Sequence, residues 1–188
     1  MLAEQLKKDT LQNHQQLEKM LVGRMKAIRS ATDYVNLLQL FYSYFGGLET
    51  QIAPFINQSN LADYADRRKS EALANDIKAL GGQPHEKASG THLPAITNTA
   101  EAFAALYVIE GSTLGGKIIS KMMAQQLNIT DGRGLTFFSG YGDATESMWT
   151  GFKTALNAQA GTPSQQADII NTANETFAKF KQWVEKNN

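Results

Sequence analysis

The chain has 188 residues, 42% of them hydrophobic and 19% charged, with 18 Lys plus Arg against 18 Asp plus Glu. That length suits one domain with a sizeable core, and the composition is ordinary for a globular protein. Zero net charge without a basic block argues against nucleic-acid binding and against a polybasic membrane-surface protein, since both need clustered Lys and Arg. The absence of cysteine excludes disulfides, zinc fingers, iron–sulfur clusters and thiol nucleophiles, and fits a cytoplasmic protein. The opening MLAEQLKKDTLQNH lacks the apolar stretch of a signal peptide, and no run approaches the ~20 apolar residues of a membrane span.

Helical periodicity dominates. Leu6, Thr10, His14, Leu17 and Leu21 follow one another at spacings of four and three, which places them on one face of a first helix. Ser30 or Thr32 caps a second helix, whose stripe runs Tyr34, Leu37, Leu38, Phe41, Phe45, Leu48, Ile52 and which stops at Pro54 and Asn57. A third is expected from about Ala62 to Leu80, stopped by Gly81-Gly82. The stretch from Gly82 to Pro94 reads as a loop and holds His85 and His92, both expected to be exposed and without a role. A fourth helix starts near Thr97 or Thr99 and extends to about Leu127, a fifth covers Ala144 to Ala158, and a last one follows Gly161-Thr162-Pro163. With no strand, repeat or linker signal, residues 1–188 read as a single all-α domain.

The feature most in need of explanation is Glu110-Gly111-Ser112-Thr113-Leu114-Gly115-Gly116-Lys117, set inside a segment that otherwise favours helix. Each glycine in a helix interior costs ~1 kcal/mol relative to alanine, so the three cost roughly 3 kcal/mol. Three explanations compete. One is close helix–helix packing at a small-residue face. A second is a P-loop, but Ile118 stands where Ser or Thr must meet magnesium, and no strand precedes the glycines. The third is a kinked helix lying over a planar ligand, with Gly111 and Gly115 on one face bringing bare backbone near it.

His14 also has two readings. A lone histidine on an apolar stripe is commonly a satisfied core residue. Against that, Glu18 lies one turn on, placed to fix the imidazole tautomer, and Lys7 and Lys8 precede it, placed to meet the acidic groups of a ligand. A single axial histidine suits heme iron and does not suit structural zinc, which takes four ligands.

Taken together, these segments resemble the heme oxygenase family, and within it the bacterial biliverdin-forming branch that includes enzymes associated with bacterial phytochromes. The residues carrying the resemblance are Leu6 to His14 with Leu17-Glu18, Arg67-Arg68-Lys69 with Leu73, Asp76, Ile77 and Leu80-Gly81, and most specifically Leu106-Tyr107-Val108-Ile109-Glu110-Gly111-Ser112-Thr113-Leu114-Gly115-Gly116. Phe137-Phe138, Tyr141-Gly142, Trp149 and Phe152 match the branch's later segment. The resemblance implies a helical bundle with a kinked, glycine-rich distal helix. It implies His14 as the axial iron ligand, Glu18 as its partner, and Lys7 and Tyr107 as propionate contacts. It also implies Gly111 and Gly115 as the distal backbone over the heme, with Gly116 helping the kink. Ser112 stands where the animal enzymes carry Asp, and joins Gly111 and Gly115 in the catalytic set. Arg68 is placed in a distal polar network.

In that family heme is both cofactor and substrate. An outside ferredoxin- or flavodoxin-type donor supplies electrons, O2 reacts on the face opposite the histidine, and the ring opens to biliverdin with release of CO and iron. The rival expectation is a non-catalytic heme carrier on the same fold. No nucleic acid or membrane partner is expected.

Overall fold

The computed structural model describes residues 1–159 and 161–187; Ala160 and Asn188, part of the expected domain, lie outside the described residues. Among the described residues eight α-helices follow in order: α1 (Leu2–Asp9), α2 (Leu11–Ala27), α3 (Ala31–Ile52), α4 (Ser70–Ala79), α5 (Thr99–Gly111), α6 (Thr113–Leu127), α7 (Thr145–Asn157) and α8 (Pro163–Lys186). Among the described residues there is no strand.

The helix starts are chemically explicit. Ser30 Oγ accepts from the Asp33 amide at 3.1 Å while the Asp33 carboxylate accepts from the Ser30 amide at 3.0 Å, a reciprocal cap for α3. Thr162 and Gln165 cap α8 in the same way, with Pro163 in its first turn. Asn98 Oδ1 accepts from the Glu101 amide at 2.9 Å and starts α5. At the other end of α6, Asn128 takes a left-handed conformation with φ 54°.

Two expectations are corrected. The third helix begins at Ser70, not near Ala62, because Tyr64–Asp66 form a single 3₁₀ turn and Arg67 is extended, so the Arg67-Arg68-Lys69 run leads into α4 instead of lying on it. The first helix is broken at Thr10, whose φ of −100° separates α1 from α2.

Helices α3 and α5 run through the middle of the bundle and are buried on all sides over much of their length. Helix α5 packs against α8, α3 and α7, and α3 also packs against α4. The core is strongly aromatic. Phe41 lies 5.2 Å from both Phe138 and Phe180, edge to face, and Tyr44 stacks on Phe180 at 4.6 Å. Buried hydroxyls find carbonyls: Tyr44 donates to Thr176 and Tyr34 to Gly134.

The loop after α4 is strapped onto α3. Gln39 donates to the Gln83 carbonyl at 2.7 Å and accepts from the His85 amide, and Ala88 donates to the Ser43 carbonyl at 2.9 Å. A Cβ on Gly47 would overlap the Ala88 carbonyl oxygen, so the strap needs glycine there. His85 is exposed as expected, whereas His92 is half-buried against Trp183 at 5.3 Å.

Helices α5 and α6 together, Thr99–Leu127, are long and apolar enough to cross a membrane, but 61% of that apolar window is buried within the protein. They are therefore explained by the core.

Candidate functional site

His14 is the exposed member of its stripe. Leu6, Thr10, Leu17 and Leu21 are buried, and His14 turns to the surface, which corrects the expectation that it shares their apolar surroundings. Its ring is tilted against Phe177 of α8 at 5.4 Å, so one side of the imidazole is braced and the rest is free to face outward. Glu18 is exposed, and among the described residues no hydrogen bond joins it to His14. Lys7 lies exposed in the last turn of α1.

Thr10 is 2% exposed and donates to the Leu6 carbonyl at 2.7 Å. Tyr107 of α5 reaches the same point: burial pushes its phenol above the usual range, and hydrogen bonding by Thr10 opposes that rise. Tyr107 therefore lies beside Thr10 at the junction of α1 and α2.

The three glycines divide by role. A Cβ on Gly115 would meet nothing within 4 Å, and one on Gly111 would meet only the Trp149 indole at 3.8 Å. A Cβ on Gly116 would overlap the Phe138 carbonyl oxygen. Gly116 therefore serves tight backbone packing, while Gly111 and Gly115 leave an open, Cβ-free strip. Leu114 is 46% exposed and Ile118 70%, and Leu11, one turn before His14, is 46% exposed. The large exposed side chains of both helices thus lie beside the imidazole and beside the bare strip. The P-loop reading fails: Thr113–Leu127 is helix, and no phosphate-cradling loop forms.

The break between α5 and α6 falls at Ser112, and two hydroxyls bond back onto the last turn of α5. Ser112 Oγ donates to the Ile109 carbonyl and Thr113 Oγ1 to the Glu110 carbonyl, both at 2.6 Å. Back-bonding of this kind bends helices.

A polar cluster fixes the break from behind. Arg68 donates from Nη2 to Ser112 Oγ at 2.6 Å and to the Ile109 carbonyl at 3.0 Å, and from Nη1 to the Phe137 carbonyl at 2.9 Å. Its guanidinium carbon lies 3.7 Å from the centre of the Phe137 ring, and burial lowers its pKa to about 10. Arg67 binds Asp63 with two 2.8 Å bonds and also binds Glu110, whose side chain is 1% exposed. Tyr141 donates to Glu110 at 2.9 Å and accepts from the Arg68 amide at 2.9 Å.

Helices α2 and α6 converge at their C-terminal ends, where Gln126 Nε2 donates to the carbonyls of Met25 and Ile28 at 3.2 and 2.9 Å. His14 and Gly115 stand toward the opposite ends. Both are exposed, an imidazole on α2 and bare backbone on α6.

Among the described residues no three His, Asp or Glu gather as a metal site, so His14 is a lone nitrogen donor. A lone imidazole, flanking apolar side chains and a Cβ-free wall fit an iron porphyrin. The sequence reading missed Arg67, Glu110, Tyr141 and Trp149 as parts of this site. Glu110 carried the one available signal, a carboxylate inside the apolar run Ala-Ala-Leu-Tyr-Val-Ile.

The model of the heme oxygenase family matches residues 1–186. A heme oxygenase from Xanthomonas campestris pv. campestris (strain 8004) is 29% identical over 151 residues, covering 80% of this chain and 87% of that protein. The fold is similar to that of heme oxygenase from Neisseria meningitidis, solved with NO and CO bound, with a TM-score of 0.86 and 24% identity over 100% of this chain and 92% of that one. Heme oxygenase-1 from the cyanobacterium Synechocystis, solved with heme, gives a TM-score of 0.77 and 20% identity over 98% and 91% of the two chains. With the family model spanning nearly its whole length, the chain belongs to the heme oxygenase family.

Proposed function

We propose that the protein opens heme to biliverdin, CO and free iron, using O2 and electrons from an external ferredoxin- or flavodoxin-type donor, in the cytoplasm and without membrane or nucleic-acid partners. On this reading it serves the bacterial biliverdin-forming branch, including phytochrome-associated enzymes. The observation that carries the proposal is the pairing of an outward imidazole at His14 with the open backbone strip at Gly111 and Gly115.

Heme, when bound, supplies the iron at which oxygen and electrons meet. The chain's own residues supply position and environment. His14 would hold the iron from α2, with Glu18, one turn on, as its partner. Lys7 and Tyr107 take the acidic groups of the ligand at the α1–α2 junction and fix its rotation. Gly111, Gly115 and the half-buried Trp149 limit what fits on the distal side. The single proton of Ser112 is committed to the Ile109 carbonyl and one lone pair to Arg68, so its hydroxyl works as a fixed acceptor and not as an acid.

The test is single turnover. Purified protein with one equivalent of hemin, O2 and ascorbate or reduced ferredoxin is expected to give biliverdin and CO, and His14→Ala is expected to give neither. Bound hemin that persists unchanged under reductant and O2 would identify a heme carrier instead.

A further inference from the structure

We infer that Gln126 is a positioning residue that sets the spacing between α2 and α6. The inference rests on the heme-site reading above but concerns the opposite end of the two helices, where nothing in that reading assigns a role.

The Gln126 amide caps two carbonyls at the C-terminus of α2, Met25 and Ile28, at 3.2 and 2.9 Å. Met25 O also accepts from the Ile28 amide and Ile28 O from Arg29 Nη1, so the Gln126 amide adds a second donor to each. This second donor comes from another helix, so it ties the end of α2 to α6. The spacing is matched on the two sides. Met25 lies eleven residues beyond His14 (25 − 14), and Gln126 lies eleven beyond Gly115 (126 − 115). At 1.5 Å per residue both arms are roughly 16 Å long, so a 5° swing about the tie moves the Gly115 backbone by about 1.4 Å. A shift of that size is enough to alter a reaction that depends on close approach.

On α6, Gly115, Met122 and Gln126 follow one another at spacings of seven and four, so the tie lies on the same helical face as the bare backbone at Gly115. Between its ends α6 rests on the core through Met123, Ile119 and Met122. A 470 Å³ hollow lies behind it, lined by Thr113, Lys117, Lys121, Ser139 and Glu146. Its N-terminal end is fixed by Ser112 and by Gly116 against Phe138, and its far end by Gln126. Gln126 is itself a surface residue outside the core, so its replacement leaves the packed interior intact.

Two variants separate the tie from mere bulk. Gln126→Lys keeps a donor for the α2 carbonyls, and Gln126→Met keeps the shape without a donor. Hemin titration is combined with the absorption spectrum of the hemin-loaded protein and the pH midpoint of its acid–alkaline transition. The expected order of hemin affinity is Gln, then Lys close behind, then Met. The Met variant, which loses both donated hydrogen bonds, is expected to fall about tenfold, and its pH midpoint is expected to move while thermal unfolding stays two-state. Equal affinity and an unchanged midpoint in the Met variant overturn the inference. A wild-type protein that takes up no hemin overturns the heme-site reading instead, so the two failures are distinct.

Discussion

Arg68 and Ser112 meet at 2.6 Å, guanidinium to hydroxyl, and this contact ties the segment ahead of α4 to the break between α5 and α6. The same guanidinium also serves the carbonyls of Ile109 and Phe137. One side chain therefore holds three points: the kink, the last turn of α5 and the loop against which Gly116 packs. Replacing Arg68 by Met strands these acceptors and is expected to lower stability by about 2 kcal/mol, read by urea unfolding. Lys at this position is expected to recover less than half of the loss, because an ammonium cannot span the same fork of acceptors. Full recovery with Lys would show that charge alone matters there.

Neighbouring glycines should respond in opposite directions. Gly115→Ala gains helix propensity, about 1 kcal/mol, and meets no neighbour, so the melting temperature is expected to rise. Gly116→Ala forces a Cβ into the Phe138 carbonyl oxygen, and is expected to cost about 2 kcal/mol through backbone displacement. Hemin turnover should fall in the Gly115 variant despite its greater stability, and Gly115→Leu should abolish it. Thermal melts and single-turnover yields on the same preparations check both halves.

Breaking the ion pair behind the kink should be costly. The Arg67 and Glu110 side chains are each 1% exposed. Glu110→Gln leaves Arg67 with only Asp63 as a carboxylate partner, and a loss of about 3 kcal/mol is expected, as for other buried pairs stripped of one member. A double-mutant cycle with Arg67→Met isolates the pair. Near-additive losses would mean that each residue acts through its other contacts.

High pH should unfold the protein through its tyrosines. Burial raises the phenol pKa of Tyr34, Tyr44, Tyr64, Tyr107 and Tyr141 above the ordinary value of 10.0. A group whose pKa is raised by folding contributes stability that is fully present below its unfolded pKa and is lost as pH climbs through its folded one. Stability is therefore expected to fall from about pH 10 upward, with tyrosinate absorbance appearing together with the loss of helical circular dichroism. Tyrosinate forming well before unfolding would contradict that burial.

The helical class was legible because amphipathic stripes and caps are local. Ser30 with Asp33 and Thr162 with Gln165 announce α3 and α8 in the sequence itself. The glycine cluster was also legible as a site, though not which glycine did what, because that depends on Phe138, more than twenty residues away in the chain. Propensity alone extended the third helix back to Ala62, whereas the side chains of Arg67 and Arg68 are drawn off to Glu110 and Ser112, and the backbone at Arg67 runs extended to deliver them. Periodicity grouped His14 with the core stripe because Thr10 looked like an ordinary helical residue. The structure breaks the helix at Thr10, beside Tyr107, and leaves His14 exposed with one side of its ring against Phe177.

The most direct measurement is a hemin titration of the wild-type protein and of His14→Ala, followed by absorption spectroscopy, with free imidazole added to the variant. One equivalent of hemin is expected to bind the wild type and give the spectrum of a histidine-ligated iron. The variant should lose that spectrum, and imidazole should restore it by entering the space beside Phe177. An identical spectrum and affinity in the two proteins would contradict the assignment of His14 as the group that holds the iron.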